Sequence, residues 1–162
     1  MNIRELLLDT LRRSFDGEAW HGPALGDALS GVTAVDAAAR PIPNAHSIWE
    51  ITLHVAGWSR EVARRLDGGM PGEPEAGDWP VVTEVSEAAW LGTLERLAAA
   101  REALLEVVAR LPDEKFAERM GSADAPLGTG HTFAGTIEGV AQHNGYHAGQ
   151  IVMLRKALET AG

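Results

Sequence analysis

Cysteine is absent from the 162-residue chain. Its absence excludes disulfides, thiolate metal sites and a cysteine nucleophile, and leaves imidazole and carboxylate as the strong metal ligands. No run of about 18 apolar residues occurs, so no segment reads as a membrane-spanning helix. Met1 to Phe15 interleaves Arg4, Glu5, Asp9, Arg12 and Arg13 with its leucines, and so lacks the unbroken apolar stretch of a signal peptide. Positive charge is scarce as well. Fourteen Lys and Arg against 23 Asp and Glu leave a net charge of −9, which repels phosphate backbones and anionic lipid. Internal repeats and low-complexity tracts are missing, and Trp79-Pro80-Val81-Val82-Thr83 is the one extended-looking run. These absences predict a cytoplasmic protein with neither a nucleic-acid nor a membrane partner, folded as one domain over residues 1–162.

What the chain does contain is helical periodicity. Apolar residues make up 45% of it and recur every three or four positions in four long segments, separated by stretches rich in Gly, Pro and acidic residues. The first, about 2–15, carries Ile3, Leu6, Leu7, Leu11 and Phe15 on one face. The second opens at Ser47 and Glu50, a capping box, and runs through Ile51, Val55, Trp58, Val62 and Leu66 until Asp67-Gly68-Gly69 stops it. The third extends from Ser86, a candidate N-cap, through Leu91, Leu94, Ala98, Leu105 and Val108 to Leu111, just ahead of Pro112. The fourth begins near Thr132 and reads Phe133, Ile137, Val140, Ile151, Leu154 and Leu158. The pattern predicts an all-α four-helix bundle with long crossover loops. Residues 16–46 have room for one or two short helices, while 70–85 and 112–131 are Pro- and Gly-rich. Connections of this length are uncommon unless functional, so a cap over a site is expected.

Two histidines interrupt the fourth apolar stripe without breaking its spacing. His143 and His147 fall between Val140 and Ile151 at intervals of three or four residues, which turns both imidazoles into the bundle. At i and i+4 their Cβ atoms lie about 5–6 Å apart, close enough for two ring nitrogens to share one ion. His54 sits three residues after Ile51 and four before Trp58, on the apolar face of the second helix. If the second and fourth helices are neighbours, His54 completes a set of three nitrogens, the usual way a bundle core builds a metal site. The H-x-x-x-H pair alone is a weak motif, and a buried histidine is often simply hydrogen-bonded. Yet two buried imidazoles without partners cost about 1–3 kcal/mol each, which a shared ligand avoids.

The run His143-Asn144-Gly145-Tyr146-His147-Ala148-Gly149-Gln150-Ile151, with Ser47-Ile48-Trp49-Glu50 and the His54-to-Trp58 segment, resembles the DinB/YfiT-like superfamily. Trp20-His21-Gly22-Pro23 and Met153-Leu154-Arg155-Lys156-Ala157-Leu158 resemble one of its branches. The resemblance covers nearly the whole chain and implies a four-helix bundle with one metal-binding histidine from the second helix and two from the fourth. His54, His143 and His147 occupy those positions. It also implies a thiol S-transferase, since some members use bacillithiol or mycothiol, and it is compatible with a homodimer.

The remaining polar residues are expected in lesser roles. His46, at the mouth of the second helix, reads as exposed or capping, and His21 and His131 as solvated loop residues within possible reach of a substrate. Tyr146 projects off the stripe, while Arg101 and Glu102 read as a solvated flank of the third helix or as a group facing the site. The five tryptophans read as core and loop anchors, and Asn144 and Gln150 as candidates for orienting the ligands through hydrogen bonds.

Three neutral imidazoles around a divalent ion leave a position open for water or substrate, the pattern of a catalytic site. Zinc is the first expectation, with nickel, cobalt or manganese compatible with an all-imidazole set. Such an ion lowers the pKa of a bound thiol or water. Two enzyme classes follow: transfer of a low-molecular-weight thiol to a small electrophile, or hydrolysis of an amide or ester. The transferase is preferred because no carboxylate base beside the histidines is evident from spacing. A non-catalytic module, its ion merely tying two helices together, is the alternative from another class.

Overall fold

The computed structural model describes residues 1–121 and 130–161, and every regular element among them is helical. Helix α1 spans Ile3–Phe15, α2 Leu25–Leu29, α3 Ala34–Ala38, α4 Ile48–Leu66, α5 Glu87–Arg110 and α6 Phe133–Ala161, with a 3₁₀ turn at Asp113–Ala117. The starts are set by capping groups that satisfy otherwise orphaned backbone donors. Asn2 and Glu5 bond each other's backbone N–H at the start of α1, both at 2.9 Å. Ser47 and Glu50 do the same for α4 at 2.8 and 3.2 Å. The Ser86 hydroxyl accepts from Ala89 N–H at 3.2 Å, and the Thr132 hydroxyl from Gly135 N–H at 3.0 Å, just before α6. Two of these four caps, Ser47 and Ser86, are the ones that the sequence marks as caps.

The four long helices form the bundle. α4 packs against both α5 and α6, and α1 closes the other side against α6 and α5. The short helices α2 and α3 occupy the 16–46 connection, α2 against α6 and α3 against α4. Leu11, Leu25, Ile48, Val55, Leu104, Val108, Ile137 and Ile151 are fully enclosed, so the periodic stripes of α4 and α6 do line the core. Two stripes differ from the pattern read off the sequence. On α1, Ile3 and Leu6 are exposed, and Leu7, Leu8, Leu11 and Phe15 carry the contact. On α5, Leu91 and Ala98 face outward, while Trp90, Thr93, Leu97, Ala100 and Leu104 face inward. Trp90 sets that rotation. Its indole N–H donates to the Val32 carbonyl at 2.8 Å, its ring lies 5.2 Å from that of Trp49, and Trp49 Nε1 donates to the Thr93 hydroxyl at 2.9 Å. A buried indole outweighs a leucine in both area and hydrogen-bond demand, so it takes the inner face.

The connection from α4 to α5 folds back over α4 without forming a strand, so Trp79 to Thr83 stays irregular. Gly57 permits the close approach, since a Cβ there would sit 3.2 Å from the Pro74 ring. The connection is fastened at its start by Glu61, whose buried carboxylate accepts from Arg64, from Arg65 and from the Gly72 N–H at 2.7–2.9 Å. Burial pushes the Glu61 carboxyl up, but the two guanidinium groups and the Gly72 N–H outweigh it and hold it below the usual carboxylate range. The 112–131 connection contains the 3₁₀ turn, and its residues 122–129 lie outside the described residues. None of the helices described is long and apolar enough to cross a membrane.

Candidate metal centre

Because α4 and α6 are neighbours, their stripe histidines meet. His143 Nε2 lies 3.0 Å from His54 Nε2 and 3.0 Å from His147 Nε2. One ligand nitrogen from each of the three lies within 4.8 Å of the others. His54 and His147 are buried at 6% and 3% exposure, and His143 is half-buried, so solvent reaches the cluster from the His143 side.

The outward nitrogens fix the protons. His54 Nδ1 is 2.7 Å from the Asp78 backbone carbonyl, which can only accept, so Nδ1 donates and Nε2 presents a lone pair. His147 Nδ1 donates to Gln150 Oε1 at 2.6 Å, so its Nε2 presents a lone pair as well. His143 Nε2 can carry at most one proton for these two contacts. Extra protons are not available at neutral pH. Burial, then the neighbouring His147 and His54, push the His143 imidazole from 6.5 down to about 4. Burial likewise pushes His147 down to about 4, against the hydrogen bond it donates to Gln150, which works upward. The three inward nitrogens therefore share at most one proton for two contacts, and a cation between them would satisfy all three. The donor set fits a divalent ion of borderline softness.

The α4–α5 connection completes the enclosure. Asp78 lies against His54, its carboxylate 3.2 Å from Nδ1, and the same carboxylate accepts from Trp58 Nε1 at 2.7 Å. Trp79 stacks parallel on His54 at 4.0 Å and stands edge-on to His147 at 6.1 Å. On its other face it stacks on His46 at 3.6 Å. Both faces of that indole are thus occupied by imidazoles. The expected cap over the site is this segment.

The other residues singled out in the sequence lie apart from the three inward nitrogens. His46 is held on the far side of Trp79 with Nδ1 3.6 Å from the Glu50 carboxylate. His21 packs against Gly145, where a Cβ would come within 3.0 Å of its ring, and His131 is exposed. Arg101 pairs with Asp16 at 2.8 Å and with Glu102 at 3.4 Å, as a flank of α5. Gln150 does orient His147, whereas Asn144 is buried and donates to the Ser14 hydroxyl at 3.0 Å. Tyr146 is 65% exposed, its ring 5.0 Å from that of His147. Trp20 is fully exposed and anchors nothing, against expectation, because it tips the tight turn closed by Gly22 N–H to the Ala19 carbonyl. Asp78 and Trp79 escape the spacing argument, since loop residues carry no periodic signal. Their one cue is an acid and an aromatic adjacent in a long Pro-rich connection.

A groove of about 1180 Å³ runs along α4 and α5 beneath residues 73–84, and none of the three histidines lines it. The chain matches no curated protein and no solved structure. Residues 20–151 match the DinB superfamily over a span that contains all three histidines. On that match, together with the all-helical fold, the chain belongs to the DinB superfamily.

Proposed function

We propose that His54, His143 and His147 bind one divalent ion, with zinc the first candidate and nickel, cobalt or manganese compatible, and that the protein is a metal-dependent thiol S-transferase acting on small electrophiles. The observation that carries this reading is the pair of 3.0 Å contacts that His143 Nε2 makes to two nitrogens whose own protons sit on the opposite side of the ring, so that one proton at most serves two contacts. Two imidazoles bound about 2.0–2.1 Å from one ion place their nitrogens roughly 3 Å apart. When bound, such an ion supplies a positive charge that stabilises a thiolate near neutral pH.

The chain's own residues supply orientation and enclosure. The Asp78 carbonyl and Gln150 hold the imidazoles of His54 and His147 in the tautomer that turns Nε2 inward. Trp79 covers one side and excludes water from it, while half-buried His143 leaves the other side accessible. Among the described residues the ligand cluster contains no carboxylate. The nearby acids are engaged: Glu50 in its cap and with Arg40, Glu61 with two arginines, and Asp78 on the Nδ1 side of His54. Hydrolysis needs a base to take a proton from attacking water. Thiol transfer needs less, because the thiol ionises to water on binding. Its sulfur then forms a bond to carbon as the leaving group departs with the bonding pair. That difference favours the transferase over a hydrolase. The net charge of −9 argues for a small-molecule substrate rather than nucleic acid or an anionic membrane, and a cytoplasmic homodimer is compatible with the family.

The test uses cobalt-substituted protein. A small thiol of the bacillithiol or mycothiol type should add a charge-transfer band to the cobalt spectrum. It should also be conjugated to a chloro-dinitroarene faster than by metal-free protein, with His143→Ala inactive. Turnover of activated esters without thiol would establish the hydrolase instead. A spectrum unmoved by a panel of thiols, with no rate above the metal-free control, would leave a non-catalytic module and end the transferase reading.

A further inference from the structure

We propose that the carboxylate of Asp78 is a positioning residue for the metal centre, acting through His54 to tighten ion binding. This rests on the metal reading above and adds to it a residue outside the ligand set. Asp78 grips α4 at two places one turn apart. Its carboxylate lies 3.2 Å from His54 Nδ1 and accepts from Trp58 Nε1 at 2.7 Å, while its backbone carbonyl takes the His54 proton at 2.7 Å. The backbone bond alone would fix the tautomer. What the carboxylate adds is a negative charge directly behind the imidazole, which makes Nε2 a stronger donor and offsets the charge of an ion on the far side of the ring. The ring has little freedom to escape this arrangement, because Trp79, the next residue, stacks on it at 4.0 Å. The connection is also fastened upstream, where Gly72 bonds to buried Glu61 and Arg65 at 2.9 and 2.5 Å. His147 has the neutral counterpart, its Nδ1 donating to Gln150. One buried ligand is thus backed by a charge and the other by an amide.

A simpler role is possible for the same contacts: Asp78 could only pin the loop through Trp58. Two variants separate the roles. Asp78→Asn keeps an oxygen for Trp58 and removes the charge; Trp58→Phe removes the pin and keeps the charge. Zinc affinity is measured by competition with a chromophoric chelator, alongside the melting temperature of the metal-free protein. We expect Asp78→Asn to weaken zinc roughly tenfold or more, with the metal-free melting temperature unchanged, and Trp58→Phe to weaken it less. The cobalt d–d band should shift in Asp78→Asn and not in Trp58→Phe. Wild-type affinity in Asp78→Asn overturns the proposal, as does a loss that tracks a lowered melting temperature or one that Trp58→Phe matches. If wild-type protein binds zinc and His143→Ala does not, any of those results refutes the role of Asp78 alone. Wild-type protein that takes no zinc refutes the metal reading and this proposal together.

Discussion

Glu61 and His54 sit two helical turns apart on α4, both buried and both reaching into the connection that follows the helix. Around Glu61 every charge has its partner: the carboxylate accepts from Arg64, Arg65 and Gly72, and Arg65 also donates to the Gly72 carbonyl. Around His54 the outward side is equally well satisfied, but the inward side holds three nitrogens with at most one proton for two contacts. A complete buried network is structural, since nothing can be added to it. An incomplete one, made of imidazole nitrogens and walled by an indole, is where the proposed ion would supply the missing partner.

The largest effect that follows belongs to the complete network. Glu61→Ala would leave Arg65 buried and unpaired, and removing one partner of a buried pair costs about 3–5 kcal/mol. Urea unfolding should show that loss equally in metal-free and metal-loaded protein. A cost below about 1 kcal/mol would dissolve the contrast between the two clusters.

Next comes the contribution of the ion. A ligand at 100 times its dissociation constant stabilises the folded state by about 2.7 kcal/mol, roughly 5–10 °C in melting temperature for a chain of this size. Chelation should reverse the gain in wild-type protein and change nothing in His143→Ala. Coincident melting curves with and without zinc would mean that the folded protein holds no ion more tightly than the unfolded chain does, and would contradict the metal reading.

Acid should expose the same asymmetry. The folded-state values of His143 and His147 lie near 4, below the 6.5 of a free imidazole, so the unfolded chain takes up protons first as pH falls. Metal-free protein should therefore lose stability between about pH 6.5 and 4, with no contribution from these groups above that window. A flat metal-free stability profile across it would mean that the imidazoles are not buried together.

The smallest effect is expected at His46. Its ring stacks on Trp79 from the side opposite His54, and its side chain is 43% exposed. His46→Ala should leave zinc content unchanged, with at most a slight fall in melting temperature. Loss of zinc in this variant would extend the site beyond the three inward nitrogens.

Periodicity made α4 and α6 legible in the sequence, including the inward direction of His54, His143 and His147, because a helix converts spacing directly into a face. Their apposition was conditional on the two helices being neighbours, and the structure meets that condition. The same arithmetic put Ile3 and Leu6 on the inner face of α1, and Leu91 and Ala98 on that of α5, where they are exposed, although Leu7, Leu11, Phe15, Leu105 and Val108 do lie inward. On α5, Leu91 and Ala98 fit the spacing, but the indoles of Trp90 and Trp49 and their hydrogen bonds decided the rotation. Tertiary packing overrides a pattern when competing stripes differ by one residue. Asp78 and Trp79 were illegible for a further reason: they reach His54 across 24 residues of sequence through an irregular connection, and no local rule encodes that path. Gln150 was accessible, since it lies three residues after His147 on the same helix.

The most direct measurement is metal content per chain, by elemental analysis of protein loaded with zinc and freed of excess, for the wild type and for His54→Ala, His143→Ala and His147→Ala. The three-histidine account predicts about one ion per wild-type chain and a sharp loss in each variant, His54→Ala included, although it is the ligand from the other helix. Full occupancy in His54→Ala would contradict it.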